Sequence, residues 1–217
     1  MVLASCAVVA LAVVAHGALR HVPPAALAPA GVVRLGPEPG EDVAAYLARL
    51  PADLPAAGVR APALVQLAAE LTPADALALT AGTTPRTAVF RVPLPRVQTA
   101  LRFVTLEDGV PVAAALDNAR GRADQAAVAA AARLAGRPGA VAAAEARALG
   151  DPACPCVLAV LVDGDRAELS AVAARPGVRA VEAAPAGTTD PALAPLLPEQ
   201  TVRADPPPDD GPVPAAS

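Results

Sequence analysis

The sequence has no lysine and no tryptophan, and its only aromatic residues are Tyr46, Phe90 and Phe103. Aromatic side chains bury more apolar surface than other residue types. Without them the core has to be built from alanine, valine and leucine, which bury less area per residue. We therefore expect a core of small side chains and a domain of modest stability.

The missing residue types also exclude several kinds of chemistry. Without lysine there is no Schiff-base nucleophile and no phosphate-binding P-loop lysine. The two histidines, His16 and His21, lie in or beside an N-terminal apolar segment, so the rest of the chain has none. Ser-His-Asp catalysis, Cys-His catalysis and histidine-ligated zinc are thereby excluded from it. We expect a protein that is not an enzyme and that binds no cofactor and no metal.

An apolar run without charged side chains covers residues 2–19 and is followed by Arg20. A helix rises about 1.5 Å per residue, so this run would span about 27 Å, close to the thickness of a bilayer core. We interpret residues 1–20 as a transmembrane anchor. A signal segment cleaved after residues 15–17 is the alternative, because these have the small-x-small pattern of a cleavage site.

The anchor predicts a single-pass protein of the cell membrane. A proline-rich spacer and a domain of modest size after an N-terminal span are typical of export, so we place the domain on the extracytoplasmic side. Arg20 and Arg34 favour the opposite orientation under the positive-inside rule. Both orientations stay open.

Proline-rich segments flank the main domain. Residues 21–40 predict an extended spacer, because proline lacks an amide donor and fixes φ. Residues 188–217 are rich in proline and aspartate and are predicted to be disordered. The α+β domain is therefore expected over residues 41–187.

A gapless internal match aligns residues 63–90 with residues 156–183. Each copy has an apolar run, then a helix start, and then an arginine directly followed by a second apolar run. The helix starts, at residues 72–75 and 165–168, each pair an N-cap side chain with an acid three residues later. Coincidence in an alanine-rich sequence is the alternative to a true duplication.

The match predicts two β-α-β units, over residues 61–94 and 156–184. Two such units in one chain predict an α+β fold, the ferredoxin-like sandwich, in which two helices cover one face of a four-stranded sheet.

Residues 110–150, between the two units, are predicted to form an inserted helical hairpin. Alanine-rich residues 110–135 predict a first helix of about 39 Å. The Gly-Arg-Pro-Gly sequence at 136–139 is expected to break it, and residues 140–149 to form a second helix. Small side chains would let these helices pack closely on each other or on a second copy. The hairpin would then support the sheet or serve as a partner-binding arm.

The second unit has three local features: a capped helix start at residues 165–169, the turn Arg175-Pro-Gly-Val178, and Val181-Glu182. In these, residues 157–185 resemble the C-terminal half of subtilisin propeptide and inhibitor domains. The resemblance implies a module that chaperones or inhibits a serine protease by presenting a strand edge and a C-terminal tail. In layout the whole chain is similar to uncharacterised actinobacterial membrane-anchored proteins, a likeness that implies no activity.

Cys154 and Cys156, separated by Pro155, form the only thiol pair outside the apolar segment. They predict a strained and easily reduced disulfide, a redox dithiol, half of a thiolate metal site, or two free buried thiols. Two thiolates supply at most half of a tetrahedral site, so a metal would need a second chain.

Together these features predict a membrane-tethered, non-enzymatic protein-interaction or scaffold module that uses an exposed sheet edge or the hairpin. A propeptide-like chaperone or inhibitor, and a thiol redox protein that uses Cys154 and Cys156, are the alternatives. The expected partners are a membrane, through residues 2–19, and another protein, with homo-oligomers as one form. A net charge of −4 without a basic cluster predicts no nucleic-acid partner.

Overall fold

The structure, a computed structural model, describes residues 32–214. The anchor predicted over residues 2–19 lies outside this range. In chain order the elements are β1 (Arg34–Leu35), α1 (Val43–Arg49), a 3₁₀ helix (Leu50–Asp53), β2 (Ala61–Leu71), α2 (Pro73–Leu79), β3 (Thr84–Phe90), β4 (Arg102–Thr105), α3 (Val112–Arg133), α4 (Gly136–Leu149), β5 (Val157–Gly164), α5 (Arg166–Ala173), β6 (Val178–Ala183) and β7 (Ala192–Leu193).

Five of these strands form one antiparallel sheet in the order β4-β3-β5-β2-β6. With five helices in the described residues, this confirms the predicted α+β class. The sheet has one strand more than predicted, because β4 pairs with β3 and places Phe103 opposite Val89. A strand of four residues is too short to leave a clear alternating pattern in the sequence.

The two predicted helix starts are confirmed as capped ends. The side chain of Thr72 accepts a hydrogen bond from the Asp75 amide at the start of α2. Asp165 and Glu168 form a reciprocal capping box at the start of α5, in which each side chain accepts from the other residue's amide.

The helical hairpin is present, but the predicted break at residues 136–139 is wrong. These residues form the first turn of α4, and the backbone is extended at Leu134 and Ala135 instead. Gly139 permits this because a Cβ there would come within 2.3 Å of the carbonyl oxygen of Leu134. The Gly-Arg-Pro-Gly sequence therefore begins a helix directly after a sharp turn of the backbone, and proline is tolerated there because it lies in the first helical turn.

Helices α2, α3, α4 and α5 cover one face of the sheet, here called the helix face. Buried Ala76 of α2, Leu116 of α3 and Leu169 of α5 pack in one cluster with Val65 of β2. The alanines at four-residue intervals along α3 (Ala115, Ala119, Ala123 and Ala127) are buried. Their small size brings this long helix close to its neighbours, in line with the core of small side chains that the composition predicts.

The two ends of the described range, residues 33–46 and 192–204, here called the chain ends, cover the opposite face of the sheet, here called the second face. β1 and β7 pair in parallel, and Leu35 and Leu196 are fully buried there. The predicted spacer at 21–40 and the predicted disorder over 188–217 are therefore wrong for residues 32–40 and 188–214. The physical reason lies in β5, whose residues from Val157 to Val162 are all apolar and buried and so require cover on both faces.

Two arginines of the sheet hold the C-terminal segment in place. Buried Arg91 forms ion pairs with Glu70 and with Glu199. Arg179 donates hydrogen bonds to carbonyl oxygens of Leu197 and Gln200. Charge-assisted hydrogen bonds of this kind are stronger than neutral ones, so residues 197–200 are firmly attached.

A buried polar network joins both chain ends to the second face. The Glu182 carboxylate accepts hydrogen bonds from the Gly36 amide, from the Tyr46 hydroxyl at 2.8 Å and from Arg49 at 3.3 Å. The side-chain amide of Gln66 donates to the Tyr46 hydroxyl, and its oxygen accepts from the Leu196 amide at 2.7 Å. The buried side chains of Glu182, Tyr46 and Gln66 thus satisfy one another and the backbone around them.

Burial changes the proton affinity of this network. It raises the pKa of Glu182, and the hydrogen bonds from Tyr46 and Gly36 and the charge of Arg49 oppose that rise. Burial and the neighbouring Glu182 charge raise the pKa of Tyr46, so its hydroxyl keeps its proton as a donor.

We expect the Tyr46→Phe variant to lower the free energy of unfolding by about 1–3 kcal/mol, measured by urea denaturation. The variant leaves Glu182 without one donor and the Gln66 amide without its acceptor, in a place where water does not replace them. Thr201→Val, which deletes an exposed hydroxyl, is the matched control and should change stability by less than about 0.5 kcal/mol. Equal losses in both variants would contradict the role of the network.

The raised pKa of Glu182 predicts a pH dependence of stability. Its stabilising contribution is fully present below the ordinary value of 4.5 and is lost as the pH rises through the folded pKa. Glu182→Gln does not titrate, so its free energy of unfolding should fall less than that of the wild type between about pH 4 and about pH 7. Parallel stability curves for the two proteins would show that Glu182 does not couple folding to protonation.

Candidate functional site

One edge of the sheet, formed by β4, has unpaired backbone groups. The Leu106 amide donates to the Arg86 carbonyl at 2.7 Å, so residues 102, 104 and 106 face β3. Hydrogen-bonding directions alternate along an antiparallel strand, and the amide and carbonyl groups of Phe103 and Thr105 therefore point outward. No other strand of residues 32–214 pairs with this side of β4.

The Thr105 carbonyl has a partner on this edge, whereas the Phe103 backbone does not. Arg122 of α3 donates to the Thr105 carbonyl at 2.7 Å, and the same guanidinium pairs with Glu107. Within the described range no such contact reaches the outward amide and carbonyl of Phe103. A short edge strand closed at one end by charged side chains is a usual way to limit uncontrolled pairing.

The side chain of Phe103 is the most unusual feature of this edge. Tyr46 and Phe90, the other two aromatic residues of the chain, are 0 % exposed, whereas Phe103 is 48 % exposed. Because Val104 packs on the helix face, Phe103 lies on the second face, beyond the part that the chain ends cover. An aromatic side chain beside free backbone donors and acceptors forms a surface suited to a partner strand.

The opposite edge, formed by β6, is less accessible. The 3₁₀ helix lies beside it, and Leu50 of that helix packs against Ala180. A groove of about 380 Å³ remains between this helix and α5, with Pro51, Leu54 and Ala173 among its lining residues. The sequence predicted an exposed sheet edge but did not identify β4 as that edge. Phe103 lies in a segment too short to have a clear alternation of apolar and polar residues.

The predicted thiol pair lies elsewhere, at the entry to β5. Cys154 and Cys156 are both free thiols and both buried, and the Cys156 Sγ donates to the Cys154 carbonyl at 3.4 Å. Arg120 of α3 is nearby, and its Nη1 donates to the carbonyl of Leu149 at the end of α4. Of the four alternatives drawn from the sequence, the structure has the pair of free buried thiols.

The contact between the two residues makes Cys156 the less reactive thiol of the pair, because the same hydrogen bond lowers the pKa of Cys154. Hydrogen bonding to Cys154 and burial raise the pKa of the Cys156 thiol well above its usual range. The thiolate is the reactive form of cysteine, so a thiol held protonated and shielded from solvent reacts slowly. Residues 32–214 also contain no group of three or more His, Cys, Asp or Glu side chains arranged to hold a metal ion.

Comparison with known proteins gives no relative: no protein-family model, no curated protein and no solved structure matches this chain. Across residues 32–214, no helix combines the length and the apolar composition needed to cross a bilayer. The function has to be inferred from the geometry of the chain itself.

The buried pair predicts slow thiol labelling. In a Cys6→Ser variant, which keeps only Cys154 and Cys156, reaction with Ellman's reagent should be at least about 100-fold slower in the native protein than in guanidinium chloride. The Cys154→Ser/Cys156→Ser variant in the same background is the control, because it has no thiol and gives the background rate of the reagent. Fast labelling of the native protein would restore the redox interpretation.

Proposed function

We propose that this chain is a membrane-tethered, non-enzymatic interaction module that self-associates through the edge of β4. In such a pair, the β4 strands of two copies run antiparallel and join two five-stranded sheets into one. Residues 2–19 would tether both copies to one membrane. A shared membrane raises the effective concentration of each copy for the other.

The exposed Phe103 is the observation that carries this proposal. A chain with three aromatic residues places two of them fully inside and leaves the third half-exposed on an edge strand. Aromatic side chains dominate the energy of protein interfaces, where one or a few residues supply most of the affinity. Phe103 would be that residue, and the outward backbone of β4 would supply the hydrogen bonds.

A second copy in antiparallel orientation suits the outward backbone of β4. The amide and carbonyl of Phe103 can then pair with the same two groups of Phe103 in the other copy. Such a contact between identical surfaces closes as a symmetric dimer. The charged side chains at the ends of β4 already have partners within the copy, because Arg102 pairs with Glu145 and Glu107 pairs with Arg122.

The topology supports the predicted duplication. Without β4, the strand order is β3-β5-β2-β6. This order, with α2 and α5 each joining two strands, is that of the ferredoxin-like sandwich, and it supports two β-α-β units of common origin. β4 then stands as an addition at the edge of the duplicated unit.

The inhibitor interpretation has less support. It requires an accessible strand edge in the second unit and a C-terminal tail that reaches a protease. Here the 3₁₀ helix lies beside β6, residues 192–204 lie against the second face, and the residues after them cross the loop that joins β3 to β4. The resemblance of residues 157–185 to propeptide domains stays a prediction.

The experiment is light scattering coupled to gel filtration, on the full chain in detergent micelles. The wild type should be dimeric, and Phe103→Glu should weaken the dimer by about thirtyfold or more, as loss of an interface hot spot of about 2 kcal/mol does. Val128→Glu is the matched control, because Val128 is equally exposed on α3 and distant in sequence from the edge. It should remain dimeric.

A second variant tests the strand pairing itself. Thr105→Pro removes one outward amide, a change that edge strands tolerate. It should weaken the dimer while thermal unfolding stays unchanged. A dimer that survives Phe103→Glu, or one that resists Thr105→Pro, would overturn the edge-to-edge arrangement.

A further inference from the structure

The C-terminal residues 205–211, here called the tail segment, cross the loop that joins β3 to β4. The amide of Gly211 donates to the Arg96 carbonyl at 2.7 Å. From the loop, the Gln98 amide donates to Asp209 at 3.1 Å, and the Gln98 side chain donates to the Pro207 carbonyl at 2.7 Å. The loop thus contacts the tail segment from Pro207 to Gly211.

Two arginines hold the acidic residues of the tail segment. Arg137, in the first turn of α4, donates to the Asp209 carboxylate and to the Gly211 carbonyl, both at 2.9 Å. Arg96 forms an ion pair with Asp210. The surface made by Arg96, Gln98 and Arg137, here called the tail site, therefore recognises two adjacent carboxylates and the backbone beside them.

The fit at Gly211 is specific. A Cβ at this position would lie 2.2 Å from the carbonyl oxygen of Pro95, so only glycine can approach so closely. Arg96 has a φ of 57°, and it alone among the non-glycine residues of the described range has a positive φ. Such a backbone is uncommon outside glycine and costs free energy, here at the residue whose carbonyl accepts from Gly211.

The middle of the tail segment is a stiff ligand. Pro206, Pro207 and Pro208 favour an extended polyproline conformation, which loses little entropy on binding. Pro206 and Pro207 line a cavity of about 300 Å³ together with Arg34, Arg91 and Leu101. The tail segment thus covers apolar surface without filling it.

The attachment of the tail segment is also superficial. The carboxylates of Asp209 and Asp210 remain 45 % and 62 % exposed in their ion pairs. Exposed ion pairs contribute little stability and exchange readily with solvent. The contacts are therefore specific in geometry but weak in energy, as expected of a ligand that leaves and returns.

We propose that the tail site binds the tail segment of a second copy of this chain, in exchange with the chain's own tail segment. The tail segment has the required chemistry: three consecutive prolines, two aspartates and a glycine in fixed order. The exchange does not require β4 pairing, since the contacts are complete without it.

A complementation experiment tests this exchange in the full chain in detergent micelles, with Phe103→Glu in every protein to remove β4 pairing. The first chain carries Asp209→Asn/Asp210→Asn and keeps an intact tail site. The second chain carries Arg96→Gln/Arg137→Gln and keeps an intact tail segment. Their dissociation constant is measured by microscale thermophoresis, with an N-terminal fluorescent protein fused to one chain.

The mixed pair should bind at least about tenfold more tightly than either variant binds itself. Only in the mixed pair does the intact tail site of one chain meet the intact tail segment of the other, and the chain with the intact site has no intact tail segment of its own to compete. Salt at about 500 mM should weaken the mixed pair by screening its ion pairs. A mixed pair no tighter than the two self-pairs would overturn the exchange.

Gly211→Ala in the second chain is the control for geometry. It preserves both aspartates but introduces the Cβ that clashes with Pro95, so the tenfold gain should disappear. If the gain persists with alanine, the association is not through the tail site and the proposal is wrong. The β4 proposal is unaffected by either result, because Phe103→Glu is present throughout.

Discussion

The two central strands, β2 and β5, are apolar on both faces, and this constraint organises the rest of the fold. Helices α2, α3, α4 and α5 cover one face, and on the other face the short helix α1 covers only a part. The chain ends supply the second cover, with Leu35 from one end and Leu196 from the other fully buried. Since burial of apolar area is the main favourable contribution to folding, segments that look like linkers are held against the sheet.

The polar network around Glu182 determines how that second cover is positioned. Apolar contacts alone are tolerant of small displacements, whereas Glu182 and Gln66 each require particular donors and acceptors from the chain ends. A buried carboxylate left without them would be costly. Hydrogen bonds to Gly36, Tyr46 and Leu196 therefore specify the position of both ends more than they add to stability.

The two proposed interactions use adjacent parts of the same edge. Phe103 and the outward backbone of β4 form an apolar surface with hydrogen-bonding groups. The tail site begins a few residues earlier, at Arg96 and Gln98, and is polar and exposed. The first surface suits a stable contact and the second a weak, salt-sensitive one.

The sequence by itself determined the composition of the core, the α+β class and the two capped helix starts, because Thr72, Asp165 and Glu168 act through local hydrogen bonds. It also indicated burial of Cys154 and Cys156 as one alternative, and an exposed sheet edge without its position. These features depend on residues a few positions apart, where spacing alone defines the contact.

Only the tertiary structure decided the rest. The short strand β4, the strand-like ends at β1 and β7, and the docked tail segment are stabilised by residues far away in sequence, such as Arg137 with Asp209 and Gln66 with Leu196. Their own sequences are proline-rich or too short for a periodic pattern. Composition predicted disorder for residues 188–217, and tertiary contacts overrode it for residues 188–214.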